Sequence, residues 1–303
     1  MRRYVRGLVF GAVAIALVIG YGVLASRAAP LVFLPAGTPT PTPTKPVSAV
    51  PAPQIPGTIA FALRGDVYML RDGKYVSVTS DARSIQPNLS ADGRTLLSAP
   101  SGFHSVAWFT GPALSPDGKQ FAVTTDAVDG ASDLELFDAQ TGKRASLLSQ
   151  GSNLADAAWS PDGKMIAVTS YTLGEPRILL VPSDGRVALP LAIKGTSGES
   201  YRPSYSPDGV WITYTLRHDG RNDVHAVEVK TGQDVALTSD GRSWNSVFSP
   251  DGKQIAFLRE NGGLIDLYAM DVSEALTGGS ARAAVKLTRG EGIDGDSRPA
   301  WGG

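Results

Sequence analysis

The chain has 303 residues, 34 of them Gly and 21 Pro, with no Cys and a formal net charge of −1. The missing cysteines exclude a disulfide-stapled fold, thiolate metal sites, cysteine chemistry and a lipid anchor on an N-terminal Cys. The charge is uneven: residues 1–56 hold five basic residues and no acid, which leaves 23 basic and 29 acidic residues in 57–303. An acidic body argues against nucleic acid as a partner, because affinity there comes from neutralised phosphates.

Residues 1–6 read as a short cytoplasmic N-terminus with Arg2, Arg3 and Arg6. Residues 7–26 (GLVFGAVAIALVIGYGVLAS) carry no charge. As a helix they would span ~30 Å, the thickness of a bilayer core. The preceding arginines orient such a segment with its N-terminus inside and the rest of the chain outside. The expectation is a single-pass signal-anchor in the cell membrane. A cleaved signal peptide is the alternative, with small-residue sites at Val23-Leu24-Ala25 and Ser26-Arg27-Ala28. Either way the body is extracytoplasmic, secreted or periplasmic in the second case.

Residues 27–56 form a Pro/Thr-rich linker, centred on Thr38-Pro39-Thr40-Pro41-Thr42-Pro43-Thr44. Alternating Pro blocks helices and strands and favours extended polyproline II. Such a stalk reaches up to ~80 Å.

Residues 57–303 repeat. The unit recurs as Leu89-Ser90-Ala91-Asp92-Gly93, Leu114-Ser115-Pro116-Asp117-Gly118, Trp159-Ser160-Pro161-Asp162-Gly163, Tyr205-Ser206-Pro207-Asp208-Gly209 and Phe248-Ser249-Pro250-Asp251-Gly252. The Asp spacings are 25, 45, 46 and 43 residues. Periods of ~40–45 are those of four-stranded propeller blades. Ser-Pro-Asp-Gly suits a type I turn, with Pro second, Gly fourth, and Ser and Asp bonding the turn's own backbone. The Asp residues are therefore read as turn chemistry and not as a catalytic ring. Leu89, Leu114, Trp159, Tyr205, Phe248 and Trp301 recur once per unit as blade core. Apolar runs such as Ile166-Ala167-Val168 follow each turn and fit strands covered on both faces.

Later in each unit comes a strand beginning with an acid, as in Asp66, Asp133, Asp223 and Asp266. A fourth strand ends at Thr79, Ser149, Thr238 or Thr288. The body opens at Gly57 in mid-unit and stops at Arg298-Pro299-Ala300-Trp301, which parallels Arg202-Pro203-Ser204-Tyr205. The last strand is expected to complete the first blade and close the ring. The expected architecture is all-β, a six-bladed propeller with blades at 57–80 with 297–301, 84–111, 112–150, 155–200, 202–243 and 245–290. The second blade is short for four strands.

The run Pro-x-(aromatic)-Ser-Pro-Asp-Gly-x-x-Ile-Ala-Phe resembles the repeat of TolB-type β-propellers, across about 57–301. The resemblance implies a six-bladed propeller that binds other proteins outside the cytoplasmic membrane. The family's α/β domain ahead of the propeller has no counterpart in the Pro-rich stalk.

Catalytic and metal-ligating patterns are sparse. His104, His218 and His225 do not pair at metal spacing, and His225, in a third strand, reads as structural. There is no Gly-x-Ser-x-Gly elbow or phosphate loop. Asp126–Gly130 and Asp294-Gly295-Asp296 read as polar turns rather than calcium loops. Trp108 and Trp244 stand outside the repeat register. No catalytic residue, cofactor or metal is assigned. The expected function is a non-catalytic module, a monomeric propeller binding a protein or an envelope polymer. The alternative is an enzyme in the central channel, of glycan lyase, hydrolase or lactonase type.

Overall fold

A computed structural model describes residues 55–80, 82, 84–100, 111–126, 132–149, 153–172 and 174–303. The expected membrane segment and residues 27–54 of the expected linker, together with His104 and Trp108, lie outside the described residues. Among the described residues no helix is long and apolar enough to cross a membrane.

Six antiparallel sheets follow one another in chain order. The first holds β1 (Thr58–Leu63), β2 (Asp66–Arg71) and β3 (Lys74–Ser77). The second holds β4 (Ser84–Leu89) and β5 (Leu96–Pro100). The third holds β6 (Ala113–Leu114), β7 (Gln120–Asp126), β8 (Ser132–Asp138) and β9 (Arg144–Ser149). The fourth runs through β10 (Leu154–Trp159), β11 (Met165–Ser170), β12 (Arg177–Pro182) and β13 (Leu189–Pro190). The fifth comprises β14 (Glu199–Tyr205), β15 (Trp211–His218), β16 (Arg221–Glu228) and β17 (Asp234–Ala236). The sixth comprises β18 (Ser243–Phe248), β19 (Gln254–Asn261), β20 (Leu264–Asp271) and β21 (Val285–Lys286). The last strand, β22 (Ala300–Gly302), returns to pair with β1.

The expectation of six blades is corrected: among the described residues there are five four-stranded blades and, where the short second blade was expected, one two-stranded sheet, β4–β5, between the first and third. The cause is length. The spacing of 25 residues from Asp92 to Asp117, which must also carry β5 and β6, is short for four strands that average about 5–6 residues each. Two blade edges also move. Glu199 and Ser200 belong to the fifth sheet and Ser243 to the sixth.

Several second strands are heavily buried, being flanked by strands on both edges and by neighbouring sheets on both faces. All six residues of β1 are buried, and so are five of six in β11. An apolar cluster fills each junction between neighbouring sheets. Leu134, Ile166 and Val168 serve the third and fourth, and Phe248, Phe257 and Val224 the fifth and sixth. Among the described residues the junction of the thin second sheet with the third is the smallest, with Leu97, Leu114 and Ala139 at its centre. Leu89, Leu114, Phe248 and Trp301 are buried, whereas Trp159 and Tyr205 are half-buried against their clusters. The Trp159 indole donates to Ala113 O at 2.9 Å and so ties the fourth blade to the third.

Each Ser-Asp turn closes on itself. In the third blade Gly118 N donates to Ser115 O at 2.9 Å, and Ser115 Oγ to Asp117 Oδ1 at 2.7 Å. Lys119 N donates to the same carboxylate oxygen at 3.1 Å, and Gln120 N to Ser115 Oγ at 3.0 Å. The serine hydroxyl is the largest of the influences that lower the pKa of Asp92, Asp117 and Asp162. The turn glycines also pack the ring. A Cβ on Gly209, where φ is +72°, would sit 3.2 Å from Pro161 Cγ of the preceding blade. Gly118 has a similar φ of +69° but nothing within 4 Å. Gly118→Ala is expected to cost ~1–2 kcal/mol from the left-handed backbone alone. Gly209→Ala adds a steric contact and should cost more, a ranking that urea unfolding of both variants checks.

Acid-led third strands serve a second repeated device. Asp223 Oδ1 accepts from Thr238 Oγ1 and from Gly241 N, both at 2.9 Å, while Thr238 Oγ1 accepts from Val224 N at 2.8 Å. Asp66 with Thr79, and Asp266 with Thr288, repeat the pattern. Each clasp fixes the end of the outer strand and the start of the loop that leads to the next blade.

Candidate functional site

In a propeller the inner strands surround an axis, and four of them break register in the same place. Shifts fall between Ile85 and Asn88, Ala155 and Ala158, Tyr201 and Ser204, and Trp244 and Val247. At each break one non-glycine residue has a left-handed backbone: Gln86 (φ 53°), Asp156 (56°), Arg202 (59°) and Asn245 (57°). Such a bulge re-aims a side chain, and the strained backbone persists only where its surroundings hold it. All four stand three residues before a blade-core residue. Gly111 and Arg298 hold the same place in the third blade and in the closing segment. A Cβ on Gly111 would lie 2.4 Å from Gln86 Cβ, so glycine lets the inner segment pass close to the thin second sheet.

These positions converge on a cavity of about 10 Å³ lined by Gln86, Asp156, Arg202, Asp296 and Arg298 among others. The Arg298 guanidinium crosses to the opposite side, donating through Nη1 to Pro203 O at 2.6 Å and through Nη2 to Ala157 O at 3.1 Å. Its removal from water lowers its pKa, and the nearby Asp156 carboxylate partly offsets this. Arg202 Nη1 donates to Asn245 Oδ1 at 2.6 Å. Its Nη2 lies 3.8 Å from Asp296 Oδ1, whose side chain is 89% exposed. Thr169 Oγ1 accepts from Arg202 N and donates to Asp156 Oδ2, each at 3.0 Å. The ring thus holds two guanidinium groups and one carboxylate, with a second carboxylate on the rim.

By strand direction, the second-to-third-strand turns share the face where the inner strands begin, and the Ser-Asp turns lie on the opposite face. On the former face an open cleft of about 600 Å³ lies between the fourth and fifth blades. It is lined by the ion pairs Arg177 with Glu175 and Arg217 with Glu199, and by His218 Nε2 3.2 Å from Asp219 Oδ2.

The other residues singled out by the sequence fall elsewhere. The turn residues Asp92, Asp117, Asp162, Asp208 and Asp251 are engaged with their own serines, away from the ring. Trp244 is half-buried, and its indole donates to Gly295 O at 2.8 Å. Asp294 Oδ2 accepts from Gly65 N at 2.9 Å. His225 Nδ1 lies 2.8 Å from Asp234 Oδ2, and Asp234 also accepts from Tyr214 OH and Thr196 Oγ1, both at 2.7 Å. Burial pushes the Asp234 pKa up, but His225, Thr196 and Tyr214 together hold it below the ordinary 3.8. A depressed carboxylate stabilises the fold above the unfolded pKa and loses that stability as pH falls through the folded one. Melting temperature is therefore expected to drop on acidification below pH ~4, and less steeply in Asp234→Asn, as thermal scans across pH check. Among the described residues no group of three or more His, Asp and Glu could hold a metal ion.

The ring residues escaped the motif search. The available signal was the slot three before each core residue, polar in five of six copies while its neighbours keep the repeat pattern.

Comparison with known proteins places this architecture. The family model for the TolB beta propeller domain matches residues 88–302. A TolB homolog of Chlorobium luteolum is 30% identical over 122 residues, which are 40% of this chain and 27% of that protein. The chain thus matches about a quarter of that relative's length. The crystal structure of TolB from Acinetobacter baumannii superposes with a TM-score of 0.63 at 22% identity, covering 82% of this chain and 67% of that one. An oligogalacturonate lyase in complex with manganese gives 0.51 at 15% identity, covering 74% and 70%. At these identities the solved structures show the fold alone. The chain belongs to the TolB beta-propeller domain family.

Proposed function

We propose that this protein is a non-catalytic binding module, a propeller held outside the cytoplasmic membrane by residues 7–26 and a stalk of residues 27–56. It presents the face around the channel mouth to a protein partner. The observation that carries this reading is the ring itself: strained bulges aim different polar side chains at one point on an otherwise regular scaffold. Rigid rings bearing variable loops are good recognition platforms. The opposite face offers less, since its Ser-Asp turns satisfy their own polar groups. The channel cavity of about 10 Å³ is far below the ~300–1,000 Å³ of small-molecule sites, which disfavours an enzyme in the channel. A released periplasmic form after cleavage near Ala25 or Ala28 would keep the same binding face.

The test is a crosslinking pull-down from intact cells, with the full chain against one lacking residues 57–303. A partner captured by the full chain alone supports the module. An identical set from both, or none with a folded chain, contradicts it.

A further inference from the structure

We propose that the ring is mounted with its Ser-Asp turns toward the anchoring membrane and its channel mouth away from it, so that its partner is a protein reaching it from the far side and not a neighbour in the same bilayer. This deepens the proposed function and rests on its anchor and its binding face. The observation is where the chain enters the ring. Thr58, the first residue of β1, pairs with Gly302 at the end of the inner strand β22. Gly303 N donates to Ala91 O, within the Ser-Asp turn of the second sheet, at 3.0 Å. The Trp301 indole donates to Pro56 O at 2.5 Å, and Ile55 packs on the cluster between the sixth and first blades. The entry is close-fitted. A Cβ on Gly57, where φ is +75°, would lie 2.5 Å from Gly302 O, and one on Gly302 would lie 2.4 Å from Ser90 O. Residues 55–58 are thus built into the Ser-Asp turn face.

The far end of β1 reaches the other face. Leu63 bridges Ile293, and Gly65 N donates to Asp294 Oδ2 at 2.9 Å, in the segment that carries Asp296 to the ring. β1 has six residues, so the entry and the channel mouth are ~20 Å apart. The grip on Ile55 and Pro56 leaves no free joint at the ring itself. The Pro/Thr-rich composition ahead of them favours an extended, semi-rigid spacer. A fixed entry on one face and a spacer of that kind keep the same side of the ring toward the bilayer. The side turned inward is the one whose Ser-Asp turns already satisfy their own polar groups.

Energy transfer on the full chain in nanodiscs with acceptor-labelled lipids tests this. The chain has no Cys, so each introduced thiol carries the only donor dye. Lys253 precedes β19 and Asn261 ends it, and both are exposed. A donor at Lys253→Cys should lie ~20 Å closer to the bilayer than one at Asn261→Cys. Lys164→Cys against Glu175→Cys should give the same order in the fourth blade. Removing residues 36–50 should shorten all these distances and keep their order. Equal distances on the two faces, or the reverse order, overturn the proposal. A partner captured in the pull-down that is itself anchored in the same membrane also overturns it. A chain that stays out of the nanodiscs overturns the anchor, and the mounting with it, while the pull-down still judges the binding module. Ordered distances without any captured partner keep the mounting and remove the module.

Discussion

Removal of residues 297–303 is expected to lower the melting temperature by more than ~10 °C. The strand β22 pairs with β1 at three positions, Thr58 with Gly302, Ile59 with Trp301 and Ala60 with Ala300. Trp301 is 7% exposed and belongs to the cluster between the sixth and first blades. Its loss alone, in Trp301→Ala, should cost ~3–5 kcal/mol. At about 2–4 °C per kcal/mol for domains of this size, that is on the order of 10 °C. Deletion also removes the Arg298 brace across the channel and the bond from Gly303 N to Ala91 O at 3.0 Å. It exposes the edge of β1, all of whose residues are buried. Near-UV circular dichroism on heating reads the loss. A melting temperature within ~2 °C of the parent would show that ring closure is not stabilising.

The second large effect belongs to Asp266. It is 1% exposed, accepts from Thr288 Oγ1 at 2.9 Å and from Gly290 N, and lies 2.6 Å from Lys286 Nζ. The hydrogen bond to Asp266 raises the Lys286 pKa. Asp266→Ala strands the Thr288 hydroxyl and the Gly290 amide, while the Lys286 ammonium, 37% exposed, turns to water, and should cost ~2–4 kcal/mol. Thr288→Val keeps the volume and loses the bonds, for ~1–3 kcal/mol. Asp66→Ala breaks the same clasp in the first blade, where the acid is half-buried, and should cost less than Asp266→Ala. Urea unfolding of the three variants ranks them. Equal small losses would reduce the clasp to surface decoration.

The blade rhythm was legible because its signal is local. Ser-Pro-Asp-Gly contains its own donors and acceptors, so spacing and turn type follow from five adjacent residues. Closure was legible because Arg298–Trp301 copies Arg202–Tyr205. The count of full blades was not. Leu89 and Asp92 carry the turn motif although, among the described residues, their sheet has one strand before the turn and one after it, so counting motifs overcounts blades. Asp223 and Thr238 were visible as repeated residues, but their bond spans 15 positions and needs the sheet to form. The ring of Gln86, Asp156, Arg202, Asn245 and Arg298 was hidden for a different reason. Bulges, not side-chain type, place four of these residues, and the side chain at that place varies from blade to blade. A repeat search rewards sameness, whereas the proposed binding face rests on the slot that differs.

Site-specific photo-crosslinking in intact cells is the most direct test of the binding face. A photoreactive residue at Asp219, beside the channel-mouth face, should trap a partner, and one at Lys119 or Lys164, on the Ser-Asp turn face, should not. Crosslinks from Lys119 and Lys164 with none from Asp219 would contradict the account and move recognition to the opposite face of the ring.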